Sequence, residues 1–273
     1  METFLWKELL DPYEQAVLEL LTKFNNIERE YKKKGLYSPI ESVDGRVKSV
    51  ASILDKMQRK NISFEDLEEK VEDLAGIRII CQFVEDIDAV VRLISRRTDM
   101  EIREERDYLT RQKASGYRSF HVIVWYTVNT VGGPKKLQVE IQIRTMAMNF
   151  WATTEHELQY KYKGELPEHV TRELTRAADA VTVLDDVMSH VRSEIMDAQT
   201  QSTLRLNLVK EILGNIEGLY HAENKREAIK VQKEFYRIYQ MDNMDELERF
   251  AKQLDILSEG SRAQSVEHIV RHL

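Results

Sequence analysis

The sequence is poor in the residues and runs that several classes of protein need. Cys81 is the only cysteine, which rules out an internal disulfide and a cysteine-rich metal site and fits a reducing cytosol. Ten glycines and four prolines in 273 residues are few, which favours helices over an all-β fold. No apolar run approaches the ~20 residues that span a bilayer, and the acidic start METFLWKELLDPYEQ lacks a signal-peptide layout. We therefore expect a cytoplasmic protein without a membrane partner.

Composition also limits the ligands and the size of the core. The net charge of −7 excludes a uniformly basic surface for nucleic acid but leaves room for a local basic pocket. A hydrophobic content of 42% supports a real core, and 32% charged residues indicate long solvated helices. The length fits one large domain, or a domain with an appendage.

Apolar periodicity predicts helices at both ends and a mixed region between them. We expect a helix over 3–34 that Gly35 ends, then helices at about 45–60 and 64–73. Strands are predicted at GIRIICQF, MEIREERDYL, YRSFHVIVWYTV and LQVEIQIRT, with a helix over EDIDAVVRLISRRTD. The turn NTVGGPKK joins the last two strands into a hairpin. Beyond about 145 only helices are expected, with breaks at 164–167 and near Thr200, Asn224, Asn243 and Gly260.

The predicted helix at 45–60 carries a row of polar and basic side chains on one face. The row consists of Lys48, Ser52, Lys56 and Arg59, at i, i+4, i+8 and i+11. The predicted buried stripe opposite consists of Val47, Val50, Ala51, Leu54 and Met57. A fixed row of cations and a hydroxyl suits a polyphosphate, and an ordinary solvated lysine face is the alternative.

Two arginines strengthen the polyphosphate interpretation. Arg46 is predicted at the start of that helix, and Arg78 lies inside the apolar strand GIRIICQF. A buried arginine is costly unless its charge has a partner or a ligand. Flat guanidinium groups also stack on purine bases.

The stretch VEIQIRT alternates apolar residues with an acid, an amide and a base. Glu140 and Gln142 share the polar face with Arg144, which either contacts phosphate or pairs with an acid. Asp73 precedes the strand GIRIICQF. Two carboxylates at neighbouring strands facing cations suit Mg²⁺ that carries nucleotide phosphates. The alternatives are a helix-end charge for Asp73 and a cross-strand ion pair for Glu140.

The segment RDYLTRQKASGYRSFH forms a third polar cluster. We expect Tyr117, Ser119 and His121 on one face of a strand, with Gly116 allowing a close approach just before it. Nearby positive charge comes from Arg106, Lys113 and Arg118. An exposed Tyr117 is suited to stacking on a base, and a plain amphipathic strand with a basic loop is the alternative.

Several other sites are excluded by missing residues. EHELQY has Tyr160 where a metalloprotease helix needs a second histidine, so zinc is not expected. The sequence contains no Walker loop, no Rossmann glycine fingerprint and no nucleophile elbow.

Four segments, in this order and spacing, resemble the synthetase domain of the RelA/SpoT family, most closely its stand-alone small alarmone synthetases. They are GRVKSVASILDKMQRK, DLAGIRIICQF, RDYLTRQKASGYRSFH and VEIQIRTMAMNFWATTEHELQYKY. The resemblance covers about residues 1–199, with a motif core at 38–164. It implies an α+β fold with a nucleotidyltransferase-like mixed β-sheet flanked by helices. Residues 200–273 are then a helical extension, which either packs on the core or a subunit interface or binds a partner.

The resemblance also implies an activity and a set of roles. Such enzymes transfer the β,γ-pyrophosphate of ATP to the 3′-hydroxyl of GTP or GDP, giving AMP and (p)ppGpp. Arg46 and Arg78 would sandwich adenine. The ATP phosphates would be held by Lys48, Ser52, Lys56 and Arg59. Mg²⁺ would be bound by Asp73 and Glu140, and Glu140 would also accept the hydroxyl proton. Tyr117 would stack on guanine, and the other acceptor contacts would be Arg106, Lys113, His121, Gln142 and Asn149.

Family relationships imply two further expectations and leave two alternatives open. Hydrolases of the family carry an additional His-Asp metal domain, so synthesis without hydrolysis is expected here. Stand-alone members are typically homotetramers built through their terminal helices. A catalytically silent regulator that binds a nucleotide or RNA is one alternative. A nucleotidyltransferase that releases pyrophosphate is the other.

Overall fold

The computed structural model describes residues 2–111, 115–162, 166–221 and 225–270, without the side chains of 2–5, 160–161 and 258–270. The helices are α1 (Glu2–Lys33), α2 (Val50–Lys60), α3 (Leu67–Lys70), α4 (Val84–Ser95), α5 (Met146–Tyr162), α6 (Glu168–His221), α7 (Lys225–Gln240) and α8 (Met244–Val270). The strands are β1 (Ser42–Val47), β2 (Ala75–Cys81), β3 (Met100–Asp107), β4 (Phe120–Thr130) and β5 (Gly133–Thr145). This content confirms the predicted α+β fold.

The five strands form one mixed sheet in the order β1-β2-β5-β4-β3. β2 and β5 run parallel at its centre, and the remaining neighbours are antiparallel. The predicted hairpin is confirmed as β4 and β5, which pair from Thr130 and Gly133 inward. The central strands read as apolar runs because helices cover their apolar face: Tyr13, Leu20 and Phe24 of α1 are almost completely buried there.

The first strand was missed, and the helix predicted at 45–60 was wrong in its first part. Residues 42–47 form β1, which pairs with β2, so Arg46 lies on a strand and not at a helix start. Val43, Gly45 and Val47 alternate with Asp44 and Arg46, but glycine weakened that signal. A Cβ at Gly45 would lie 2.8 Å from Ile77 Cδ1, so a larger residue there would force the Ile77 side chain to shift.

The second helix begins later than predicted and buries a different side chain. Ser49 caps α2 by accepting from the Ser52 N–H at 3.4 Å, and Asn61 ends it in a left-handed conformation. Ile53 is its buried residue, whereas Ala51 and Leu54 are exposed, contrary to the predicted stripe. The third predicted helix, 64–73, shrinks to the single turn of α3.

The chain divides into two compact units, Met1–His190 and Val191–Leu273. The second unit has its own apolar core, which includes Ile212, Phe235 and Leu254. The breaks predicted near Thr200 and Gly260 were wrong, because α6 and α8 continue through them. The break at Asn243 is confirmed between α7 and α8, whereas Gly164 and Asn224 lie outside the described residues. Among the helices described, none combines the length and apolar character that crossing a membrane requires.

Candidate active site

A row of polar side chains crosses all five strands on one face of the sheet. Strand register places Asp44 opposite Arg78, Arg78 opposite Gln142, Gln142 opposite His121, and His121 opposite Arg106. Directly opposed residues point to the same face of a sheet. The sheet therefore brings together side chains that are up to 98 positions apart in the sequence, from Asp44 to Gln142.

A polar cavity of about 180 Å³ opens beside this row at the β1, β2 and β5 end. Six of the sequence-predicted site residues line it: Arg46, Lys48, Asp73, Arg78, Glu140 and Gln142. Arg78 is half-buried, and its Nε has no hydrogen-bond partner among the described residues. A buried guanidinium N–H without a partner carries a desolvation cost that a bound ligand would relieve. The cavity is therefore built to receive an acceptor of hydrogen bonds.

Asp73 joins the basic face of α2 to the sheet. Its Oδ2 accepts from Lys48 Nζ and its Oδ1 from Lys56 Nζ, each at 2.7 Å. Burial works against ionisation of Asp73, but the two ammonium groups outweigh it and hold the pKa of the carboxyl below its usual range. The carboxylate thus lies between the two lysines and pairs with both.

A closed ring of hydrogen bonds fixes Glu140. Glu140 Oε1 lies 2.9 Å from His121 Nδ1, and Oε2 accepts from Gln142 Nε2 at 2.8 Å. His121 Nε2 lies 2.8 Å from the Tyr117 hydroxyl, while Arg144 Nη2 donates to Tyr117 at 3.1 Å and to Gln142 Oε1. Burial opposes ionisation of Glu140, yet His121 and Gln142 keep its pKa below the usual value.

The ring determines which nitrogen of the imidazole is protonated. An ionised Glu140 only accepts hydrogen bonds, so His121 Nδ1 carries the proton. In a neutral imidazole Nε2 then accepts from the Tyr117 hydroxyl. The five side chains close the ring with matched donors and acceptors, which holds both carboxylate oxygens of Glu140 in place.

Tyr117 and Arg144 differ from expectation. Tyr117 is half-buried and lies in the loop before β4, whereas an exposed strand residue was expected. Ser119 is fully buried and donates to the Ile143 carbonyl. Burial raises the pKa of the Tyr117 phenol, and the Ser119 hydroxyl is close enough to act in the opposite direction. The Arg144 guanidinium carbon lies 5.5 Å from the Tyr117 ring centroid, and burial lowers the pKa of Arg144. Arg144 therefore holds Tyr117 and Gln142 in place through its hydrogen bonds to both.

Arg106 is held by two carboxylates. Glu104 accepts from its Nε at 2.6 Å and its Nη2 at 2.7 Å. Glu72, next to Asp73 in sequence, accepts from Nη2 at 3.0 Å and lies 2.9 Å from Nη1. These carboxylates raise the pKa of Arg106. Both acids were missed in the sequence, where nothing linked residue 72 to β3.

The remaining predicted residues are less directly connected to the cavity. Ser52 accepts a hydrogen bond from the Ser49 hydroxyl at 2.9 Å. Arg59 is exposed and pairs with Asp55 at 3.1 Å. Neither belongs to the described cavity lining. Asn149 lies on α5, and its buried Oδ1 lacks a hydrogen-bond partner among the described atoms. Lys113 lies outside the described residues.

The acidic side chains of the site could hold Mg²⁺ only together with other ligands. In the described part of the chain, no cluster of three or more His, Cys, Asp or Glu side chains could hold a metal ion. Asp73 and Glu140 line the same cavity, and the Asp73 charge acts to raise the pKa of Glu140, which indicates proximity. Mg²⁺ is commonly held by one or two carboxylates together with substrate phosphates. The residues fit an ion that arrives with a nucleotide.

These features define a class: an α+β protein with a cation-lined cavity and paired carboxylates on one face of a mixed sheet. Residues 45–165 match the model of the region found in RelA / SpoT proteins. The GTP pyrophosphokinase YjbM of Bacillus subtilis is 50% identical over 194 residues, which are 71% of this chain and 92% of YjbM. The chain belongs to the RelA/SpoT family, among its small alarmone synthetases.

Solved structures agree with this assignment. Small alarmone synthetase 1 of Bacillus subtilis bound to its product pppGpp is 50% identical, with a TM-score of 0.68 over 70% of this chain and 97% of that chain. The same synthetase bound to AMPCPP is 46% identical, with a TM-score of 0.63 over 70% and 98%. The predicted mixed sheet flanked by helices is thereby confirmed.

Proposed function

We propose that this chain is a GTP pyrophosphokinase that makes AMP and (p)ppGpp from ATP and GTP or GDP. One observation carries the proposal: a single sheet face joins the cation-lined cavity to the ring that fixes Glu140. A donor and an acceptor nucleotide need such adjoining places. The names of the similar proteins support the same activity, since YjbM is a GTP pyrophosphokinase and its structural counterpart binds pppGpp.

The donor side receives ATP. Arg46 on β1 and Arg78 on β2 line the cavity and present flat guanidinium groups for the adenine. Lys48 and Lys56, released from Asp73, bind the phosphates. Ser52 and Arg59 extend the same helix face, toward the outer phosphate oxygens. Fixed cations neutralise charge on the transferred group, which is the main requirement of phosphoryl transfer.

The acceptor side receives GTP or GDP. Tyr117 stacks on guanine after the base displaces the side chains that cover the Tyr117 ring, such as Arg144. His121, Gln142 and Asn149 contact the acceptor nucleotide. Arg106 and Lys113 meet its phosphates. The 3′-oxygen attacks the β-phosphorus of ATP, the bond from that phosphorus to the α–β bridging oxygen breaks, and AMP leaves. Glu140 takes the hydroxyl proton.

Asp73 and Glu140 would hold Mg²⁺, which supplies charge neutralisation at the transferred phosphates when bound. Lys48 and Lys56, which pair with Asp73 in this structure, would then be available to the phosphates.

Product analysis tests the proposal against its two rivals. Purified protein with ATP, GTP and Mg²⁺ is expected to form AMP and pppGpp in equal amounts, measured by anion-exchange chromatography. Release of pyrophosphate would indicate a nucleotidyltransferase instead. Absence of turnover would favour a silent regulator that binds a nucleotide or RNA. A parallel incubation of ppGpp with Mn²⁺ is expected to release no pyrophosphate, because synthesis without hydrolysis is proposed.

We also propose a homotetramer in the cytoplasm, where ATP and GTP are available. Exposed apolar side chains of α5 and α6 support oligomerisation: Met146, Phe150, Leu184 and Met188 surround a groove of about 760 Å³. Apolar patches of this kind commonly mark protein interfaces.

Removing the helical extension tests the proposed domain division at about residue 199. Residues 1–204 are expected to keep kcat for pppGpp synthesis within about twofold of the full chain, because the residues of the cavity and the ring all belong to the first unit. They lie within Met1–His190, and the second core is built from later residues. Activity and mass in solution, by light scattering, are compared for both lengths. A folded but inactive truncation would contradict the division, and a change in mass would assign the extension to an interface.

A further inference from the structure

Asp185 on α6 is a buried carboxylate outside the cavity. Only 5% of its surface is exposed. Burial raises the pKa of Asp185, which shows that its surroundings make the charge costly. Buried carboxylates are retained only when hydrogen bonds or charges compensate them. The groups around Asp185 therefore indicate its role.

The first partner of Asp185 is Thr145, the last residue of β5. The fully buried Thr145 Oγ1 donates to Asp185 Oδ2 at 2.9 Å and accepts from the Met148 N–H at 3.1 Å. The second bond caps the start of α5. α5 then presents Asn149, whose buried Oδ1 has no hydrogen-bond partner in the described structure. Asp185 thus helps to fix the direction in which α5 leaves the sheet.

A second nearby charge is that of Arg118, the neighbour of Tyr117. Its charge lies near enough to lower the pKa of Asp185. Two of its nitrogens, Nε and Nη1, are buried, and neither has a hydrogen-bond partner in the part of the chain described. The Asp185 carboxylate is therefore a nearby opposite charge for this guanidinium.

The Tyr117 loop also packs against α6 directly. Gly116 has φ +85°, and a Cβ there would lie 2.4 Å from Ala178 Cβ. Tyr117 itself packs on the small cluster of Trp151 and Ala178. The loop therefore lies against α6 at Ala178, and the charge of Asp185 on the same helix acts on Arg118 in this loop.

We propose that Asp185 is a positioning residue for the acceptor nucleotide: by accepting from Thr145 it fixes the start of α5, and by its charge near Arg118 it restrains the loop that carries Tyr117. The inference rests on the proposed function of the site and adds a residue that does not touch substrate. Its contacts lead to Asn149 and Tyr117, which belong to the acceptor side. On the donor side, Arg46 lies on β1, Arg78 lies on β2, and Lys48 lies just before α2. Acceptor binding should therefore respond to Asp185 and donor binding should not.

Asp185→Asn in the full chain removes the negative charge of residue 185 and keeps the shape of its side chain. The amide oxygen still accepts from Thr145, but the charge that faces Arg118 is lost. A misplacement of about 1 Å can cost about a hundredfold in rate, and we expect a smaller displacement of the acceptor site to cost about tenfold. We expect the KM for GTP to rise about tenfold while the KM for ATP stays within about twofold. Asp186→Asn is the matched control, because Asp186 is the exposed neighbour on α6.

Several other outcomes would contradict the proposal. Equal rises in both KM values, or unchanged values with a lowered Tm only, would overturn the positioning role. If Asp185→Asn fails to fold, Arg118→Gln removes the other side of the same charge pair and must give the same KM split, or the inference is wrong. Wild-type protein that forms no AMP and no pppGpp would refute the proposed function itself, which is a separate result.

Discussion

Glu140→Gln is expected to reduce pppGpp synthesis by about a hundredfold to ten-thousandfold, the usual contribution of a positioned general base. Glutamine has nearly the same shape but does not take a proton from the 3′-hydroxyl. It also loses one of the two carboxylates proposed for Mg²⁺. The new amide nitrogen would face the Gln142 amide, which donates to Oε2 in the present ring, so the Gln142 amide must turn over. The ring would then lose its fit to Arg144.

The measurement is single-turnover formation of AMP from ATP in the presence of GTP. ATP binding, followed separately by calorimetry, is expected to remain within a few-fold, and the far-UV spectrum should not change. Glu101→Gln is the matched control, because Glu101 lies on β3 of the same sheet with an exposed carboxylate paired to Lys136. Near-wild-type turnover by Glu140→Gln would show that Glu140 is not the general base.

The sequence predicted the elements whose patterns are local. β2, β4 and β5 were recognised because branched apolar residues alternate or run together over whole strands. β1 was missed because its pattern contains Gly45 and two charged residues. In addition, the polar face that begins at Lys48 favoured a helix start at about residue 45, which left no room for a strand. Weak strand propensity was overridden here by pairing with β2, which a local pattern does not contain.

The partners of the site residues could not be predicted from spacing. The ring around Glu140 depends on β4 and β5 pairing in a register that brings His121 opposite Gln142. Asp185 reaches Thr145 from a helix 40 positions further along the chain. Glu72 reaches Arg106 across 34 positions. Such contacts are properties of the packed sheet, so the sequence identified chemical groups but not their arrangement.

The packed site pairs its cations with the protein's own carboxylates. Asp73 neutralises Lys48 and Lys56, while Glu72 and Glu104 neutralise Arg106. Cations held in this way stay ordered without a ligand, which reduces the entropy lost when phosphates replace the carboxylates. The same pairing means that nucleotide binding must displace an ion pair. Removing one of these acids should therefore separate binding from catalysis.

Asp73→Asn is expected to make that separation visible. Synthesis should fall by about a hundredfold or more, because a charge-stabilising group at the transferred phosphates is lost. Binding of ATP should not weaken in step, since Lys48 and Lys56 no longer have a competing carboxylate. Two half-buried ammonium groups left beside a neutral amide should also lower stability by about 1–3 kcal/mol.

Three measurements on Asp73→Asn test this combination. They are kcat as a function of Mg²⁺ concentration, the Kd of ATP, and the free energy of unfolding in urea. If Asp73 is a metal ligand, a higher Mg²⁺ concentration should restore part of kcat. Asp88→Asn is the matched control, because Asp88 is exposed on α4. A kcat near the wild-type value would refute the role of Asp73. A parallel loss of kcat and ATP affinity that Mg²⁺ leaves unchanged would instead indicate that Asp73 only holds the lysines, because a structural clamp has no reason to depend on the ion.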